Sequence, residues 1–289
     1  MVYAEGSSVL DATAAATLAD VVVVVATDTS SEGADRTDLG LKPGVCVTLF
    51  CTALPSTQEE MIAAATAANP NTVVVLDIGA PVRMPWLDDA GAVLVPWFGG
   101  LQHGNALADV LYGDAEPGGR LPQTFPVDEQ QLAFDPAAYP GVDQVETYSE
   151  GLLVGYRWYD AMGERPLFPF GFGLGYTDFS FRGLAVRRTP EGARVSFTVT
   201  NTGDRAGAAV PQVYVTFPRS AGEPPRQLKG FTKLTLDPGA SRRVTIPLDR
   251  RAFSWWSTRR DGWVVTPGRY GITVGSSSRD LPLRGSVTR

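Results

Sequence analysis

The residues best placed for chemistry lie in the segment Thr29-Ser30-Ser31-Glu32-Gly33-Ala34-Asp35-Arg36-Thr37-Asp38-Leu39. It follows directly on the apolar run of residues 21–26. A continuous β-branched run of this kind reads as a strand buried on both faces. An acid just past the end of such a strand, on a Ser/Gly loop, is presented to the cleft where α/β proteins bind their ligands. Glu32 can reach into such a cleft, and Gly33 gives the backbone freedom to turn there. Partial burial would raise the pKa of this carboxyl group enough for it to hold a proton near neutrality. The chemistry on offer is therefore proton donation and abstraction.

The rest of the composition narrows the alternatives. A single histidine, His103, rules out His-cluster metal sites and disfavours a Ser-His-Asp triad. Two cysteines, Cys46 and Cys51, imply no disulfide framework. The formal net charge of -6 argues against nucleic acid or an anionic membrane as partner, although a local basic patch can exist within an acidic total. The valine run stops at Thr27-Asp28, far short of the ~20 apolar residues of a membrane helix. The first residues show no basic region followed by an apolar core, so no secretory signal is expected from them. With 44% hydrophobic and 19% charged residues, the 289-residue chain reads as globular and long enough for two domains.

The elements that would position Glu32 alternate between strand and helix. Strands are expected at residues 21–26, 72–76 and 92–95, and helices over Gln58–Ala68 and residues 105–112, with Asn69-Pro70-Asn71 and Gly113-Asp114 as stops. This alternation implies a parallel sheet with helical crossovers over residues 1–125. Residues 126–183 are rich in Pro, Gly and aromatics and read as connecting structure, with 168–176 as a packed loop too aromatic to be left in water. From 184 to 289 the pattern changes to period two. Val195, Phe197 and Val199 alternate with Ser196, Thr198 and Thr200, and Val244, Ile246 and Leu248 alternate with Thr245 and Pro247. Further strands are expected at 212–217 and 270–274. Asn201-Thr202-Gly203-Asp204 and Asp237-Pro238-Gly239 supply turns, and the whole indicates an antiparallel β-sandwich of about 100 residues.

Several segments together carry a family resemblance. They are Ser31-Glu32-Gly33 with Asp35-Arg36, residues 69–76, residues 104–111, residues 118–126, Gly155-Tyr156-Arg157-Trp158-Tyr159-Asp160, residues 166–171 and Gln227-Leu228-Lys229-Gly230-Phe231. In this order, and over nearly the whole chain, the sequence resembles the C-terminal half of a glycoside hydrolase family 3 β-glucosidase. The resemblance implies a parallel-sheet α/β sandwich domain followed by a fibronectin type III-like (immunoglobulin-like) β-sandwich. The family's N-terminal (β/α) barrel has no counterpart here, and the Ser-Asp-Trp tripeptide that carries the family nucleophile does not occur. The first strands of the α/β domain are expected to be missing as well.

Retaining glycoside hydrolysis needs two carboxyl groups roughly 5–5.5 Å apart, one attacking the anomeric carbon and one serving as acid and then base. By resemblance Glu32 is the acid/base, and the expected substrate is a β-linked oligosaccharide or an aryl or alkyl glycoside. The missing barrel would act in cis or in trans. No metal or organic cofactor is implied, and no nucleic acid or membrane partner. Without a barrel the chain is expected to be inactive alone. A non-catalytic carbohydrate-binding or interaction protein, or a half-enzyme pairing with a separate barrel chain, remain open alternatives. Other polar residues read as structural. Asp35 and Arg36 form a local ion pair bracing the loop. Asp28 and Asp38 are turn or capping residues. His103 is a loop residue, and Glu150 and Asp160 are polar groups beside an aromatic cluster. Trp255 and Trp256 read as core or domain packing, with a sugar-stacking platform as the alternative.

One segment departs from the family pattern. Joining residues 41–44 to Gln58-Glu59-Glu60 restores it, and the extra residues 45–57 are apolar, contain both cysteines and lack turn chemistry. They are either a short in-frame intron translated by error or a genuine inserted strand or loop. A digest of the native protein decides the matter: the intron reading expects no peptide from residues 45–57, and an insertion expects one.

Overall fold

The computed structural model describes residues 2–4, 8–28, 36, 38–41, 57–132 and 141–289. These form two compact units, one of residues 1–112 with 126–129 and one of residues 113–125 with 130–289.

In the first unit, α1 (Val9–Thr17) precedes β1 (Val22–Thr27), and α2 (Gln58–Ala68) leads into β2 (Thr72–Asp77). β3 (Ala92–Leu94) and α3 (His103–Tyr112) follow. The strands form a parallel sheet in the order β1-β2-β3, with Val22 opposite Thr72 and Val73 opposite Ala92. β2 is central, and Val74, Val75 and Leu76 are fully buried. α2 packs on β1 and β2, and α1 packs on α2. Helix α2 begins with a capping box in which the Thr57 hydroxyl accepts from the Glu60 amide and the Glu60 carboxylate accepts from the Thr57 amide. Each cap satisfies a donor that the first helical turn leaves open. Thr57 is the last residue of the segment that departs from the family pattern. Residues 45–56, both cysteines included, lie outside the described residues.

The expectation that the first strand is buried on both faces is corrected. Val23 and Val25 are 45% and 52% exposed, while Ala26 on the opposite face is buried. Among the described residues, nothing covers that side of β1. The run is apolar because both faces of a parallel sheet are ordinarily covered, yet only the α2 side is covered here.

In the second unit, α4 (Tyr156–Met162) lies within the Pro/Gly/aromatic-rich segment, where sequence periodicity gave no helix. Around it Tyr156 stacks on Phe170 and Phe168 on Phe172, each with ring centroids 5.1 Å apart. Asp160 is buried against Arg226, whose two nitrogens lie 2.6 and 2.9 Å from its oxygens, and against Arg279 at 3.2 Å. This matches its reading as a structural polar group. Burial pushes its pKa up, and Arg226 works against that shift.

The sandwich runs through β4 (Phe179–Arg188), β5 (Ala193–Asn201), β6 (Gly207–Ala209), β7 (Gln212–Thr216), β8 (Gln227–Phe231) and β9 (Leu234–Leu236). It continues with β10 (Ser241–Leu248), β11 (Ser254–Ser257), β12 (Gly262–Val265), β13 (Arg269–Gly275) and β14 (Leu283–Thr288). One antiparallel sheet has the order β10-β5-β4 and the other β14-β13-β7-β8. Their inward side chains, among them Val195, Phe197, Val213, Val215 and Ile272, share one core. The Asn201 turn is fixed by its own side chain, which donates to the carbonyls of Arg205 and Leu236 and accepts from the Gly203 amide.

The exposed face of β1 gives a direct test. Val25→Thr is expected to change stability by less than about 0.5 kcal/mol, whereas Val74→Thr, at a fully buried position, should cost about 2 kcal/mol by burying an unmatched hydroxyl. Urea denaturation of both variants measures the difference.

Candidate active site

The carboxyl ends of the strands in the first unit meet along one edge of the sheet. Among the described residues β1 is the outer strand, so on its open side the groups of Thr27 have no described strand to pair with. The Gln58 side chain fills this role. Its Oε1 accepts from the Thr27 amide and its Nε2 donates to the Thr27 carbonyl, each at 2.8 Å. On the inner side the Asp28 amide donates to the Asp77 carbonyl at 3.1 Å, extending the ladder past the strand.

Asp28 is more than the turn or capping residue expected from its position. Its side chain is 2% exposed, and its Oδ2 lies 3.2 Å from Nη1 of Arg36, which is itself 16% exposed. The same Arg36 nitrogen donates to the Pro81 carbonyl at 3.0 Å. Arg36 thus forms an ion pair with Asp28, while its expected partner Asp35 lies outside the described residues. Asp38 is a turn residue as expected, since its Oδ1 accepts from the Gly40 amide. Beyond it the chain is strapped down. The Leu39 amide donates to Glu129, the Leu41 amide donates to Glu59, and Arg83 pairs with both acids. Glu59 raises the Arg83 pKa, so this guanidinium stays charged throughout. The described residues on both sides of 29–35 are thus held at the carboxyl edge. Glu32 itself lies outside the described residues.

A second pair stands at the end of β2. Asp77 Oδ1 lies 3.1 Å from His103 Nε2, with the two side chains 22% and 25% exposed. The atoms are close but not aligned as a hydrogen bond. His103 is the first residue of α3, not the loop residue expected. Its imidazole fits there because residue 99 is glycine: a Cβ at Gly99 would collide with the ring. In the loop after β3, Trp97 holds φ at 59°, an uncommon conformation for a bulky residue and one that tends to occur at functional sites. Asp77 is not singled out by any motif in the sequence. It carries the same mark as Asp28, an acid directly after an apolar β-branched run.

Among the described residues no group of three or more His, Cys, Asp or Glu is arranged to hold a metal ion. The described residues at this edge include acids, the His103 imidazole and the Arg36 and Arg83 guanidinium groups, a set suited to proton transfer and to contacts with hydroxyl groups.

Residues 6–176 match the profile of the glycosyl hydrolase family 3 C-terminal domain, and residues 209–278 match the fibronectin type III-like domain. The chain belongs to glycosyl hydrolase family 3. A β-glucosidase of Rhizobium radiobacter is 45% identical over 81% of this chain and 29% of its own length. The thermostable β-glucosidase B of Acetivibrio thermocellus is 41% identical over 96% of this chain and 36% of its own length. The crystal structure of DesR, a β-glucosidase from Streptomyces venezuelae in complex with D-glucose, superposes with a TM-score of 0.89 at 41% identity, covering 97% of this chain and 35% of DesR. The chain therefore spans about a third of the length of the family 3 relatives it matches.

The buried pair can be tested by a double-mutant cycle. Arg36→Met leaves a charge uncompensated at a side chain 2% exposed and should destabilise the first unit by about 3 kcal/mol. Adding Asp28→Asn removes that charge and should recover most of the loss. Urea denaturation, with amide exchange at Thr27 and Asp28 as the local probe, reads both effects.

Proposed function

We propose that this chain is the C-terminal part of a retaining, exo-acting β-glycosidase of the β-glucosidase type, with Glu32 as its acid/base. The observation that carries this reading is the buried pairing of Asp28 with Arg36 at the carboxyl edge, because Glu32 falls in the segment between these two residues. Relatives named as β-glucosidases match at 41–45% identity and support the substrate class, a β-linked oligosaccharide or an aryl or alkyl glycoside.

In the proposed reaction the Glu32 carboxyl group protonates the leaving oxygen while a second carboxylate attacks the anomeric carbon. The Glu32 carboxylate then takes a proton from the water that releases the sugar. The described edge does not favour itself as the source of the nucleophile. Asp28 is buried and paired with Arg36, and Asp77 lies against the imidazole of His103. A barrel domain, in cis or as a separate chain, would provide that carboxylate. Among the described residues nothing covers the face of β1 that carries Val23 and Val25, and a further layer of structure in the complete enzyme would fit there.

The test joins this chain to the barrel of a family 3 β-glucosidase, by fusion or by mixing. The isolated chain should not turn over an aryl β-glucoside, and the combination should. In the combination Glu32→Gln should lower kcat/KM by about 10²- to 10⁴-fold for a substrate with a poor leaving group. Turnover by the isolated chain would remove the need for a second domain. Full activity of the Glu32→Gln combination would remove Glu32 from the mechanism.

A further inference from the structure

The second unit carries a groove of about 770 Å³ that the hydrolytic reading does not use. Its floor is the ribbon of β11 and β12, where Trp256 faces Trp263 across the strands. Successive side chains on a strand point to opposite faces. Trp255 accordingly packs against the sandwich core, its indole N–H donating to Thr266, as the core reading of this residue expected. Trp256 points the other way and is 46% exposed, with Trp263 at 45% and Phe231 at 66%. The two exposed indoles meet edge to face with centroids 5.4 Å apart. Arg251 lies over the Trp263 ring at 3.0 Å, which leaves Trp256 as the ring free to stack.

The polar groups around these rings are of both kinds. Lys229, Arg157 and Arg251 are cations of the groove, and among the described residues none forms a salt bridge. Glu223 and Asp249 are its acids, the first accepting from Gln227 and the second from the Ala252 amide. Burial, and then the neighbouring Arg157, hold the Lys229 ammonium below the ordinary lysine range. An aliphatic ligand would bury these charges without partners. An anionic ligand would meet Glu223 and Asp249, and a cationic one would meet the three basic residues. A pyranose has an apolar C–H face for an indole and a rim of hydroxyls that both donate and accept. The volume lies within the range of about 300–1,000 Å³ typical of small-ligand sites.

We propose that this groove binds a neutral oligosaccharide of pyranose rings, with Trp256 as the stacking platform and Lys229, Arg251 and Glu223 contacting its hydroxyls. The site is independent of the Glu32 reading, and the experiment separates the two. Cellotetraose is titrated into the 289-residue chain, followed by tryptophan fluorescence and by indole N–H shifts in NMR. Saturable binding at millimolar concentrations or below is expected. Trp256→Ala should weaken it about tenfold, Trp256→Phe should retain most of it, and Glu32→Gln should leave it unchanged. Circular dichroism of the Trp256 variants checks that the fold is kept. The proposal is overturned by the absence of a saturable response in the unsubstituted chain, by unaltered affinity in Trp256→Ala, or by tighter binding of an oligogalacturonate than of cellotetraose.

Discussion

The carboxyl end of β1 sets the problem that the first unit has to solve. An outer strand leaves half of its amide and carbonyl groups without a ladder partner, and such groups are costly when water is kept away from them. The solution is made of side chains. Gln58, at the first position of α2, pairs with both groups of Thr27 and so acts as one residue of a neighbouring strand. Asp28 continues inward, held by Asp77 through the backbone and by Arg36 through charge. These contacts fix the points at which the chain leaves the sheet and returns to it. The position of residues 29–35 in the sequence matters because of those anchors.

The parallel sheet was legible because continuous β-branched runs and an Ala-rich helix leave few other folds open. The helix over Gln58–Ala68 falls where its composition and its Asn69-Pro70 stop put it. The sandwich was legible for a different reason: Val195, Phe197 and Val199 alternate cleanly, and all three are buried. Two features were not legible. Apolar composition shows what a strand is suited to, not what covers it, so the exposure of Val23 and Val25 could not be read from the run itself. Partner choice was hidden too. Arg36 pairs with Asp28, eight positions away where β1 ends, and no local pattern marks that contact, while Asp35 lies outside the described residues. The pairing of Asp77 with His103 depends on how β2 and α3 come together in space, and no local pattern encodes it.

The Trp255-Trp256 dipeptide shows how one geometric fact divides two like residues. As a pair of indoles in sequence it suits a core or a binding surface equally well. Once the segment is a strand, period two places the rings on opposite sides, and one can join the core while its neighbour cannot. The cross-strand position of Trp263 then gives Trp256 a companion on the exposed face. An aromatic pair in this setting gains from its own contact while still leaving a large apolar surface toward solvent.

Charge balance links the edge of the first unit to the chemistry proposed for Glu32. An acid/base must hold a proton in the first step and give it up easily in the second, so its pKa has to respond to the reaction. Uncompensated carboxylates beside it would raise that pKa permanently by like-charge repulsion. Asp28, the buried acid, is set against Arg36, which limits the fixed negative charge it contributes at the edge. A carboxyl group added there would then be governed by burial and by the approaching nucleophile. That nucleophile is consumed when the glycosyl bond forms, and its loss of charge lowers the pKa of the acid/base at the moment it must become a base. An edge whose buried acid is compensated suits this reversal better than one crowded with free acids.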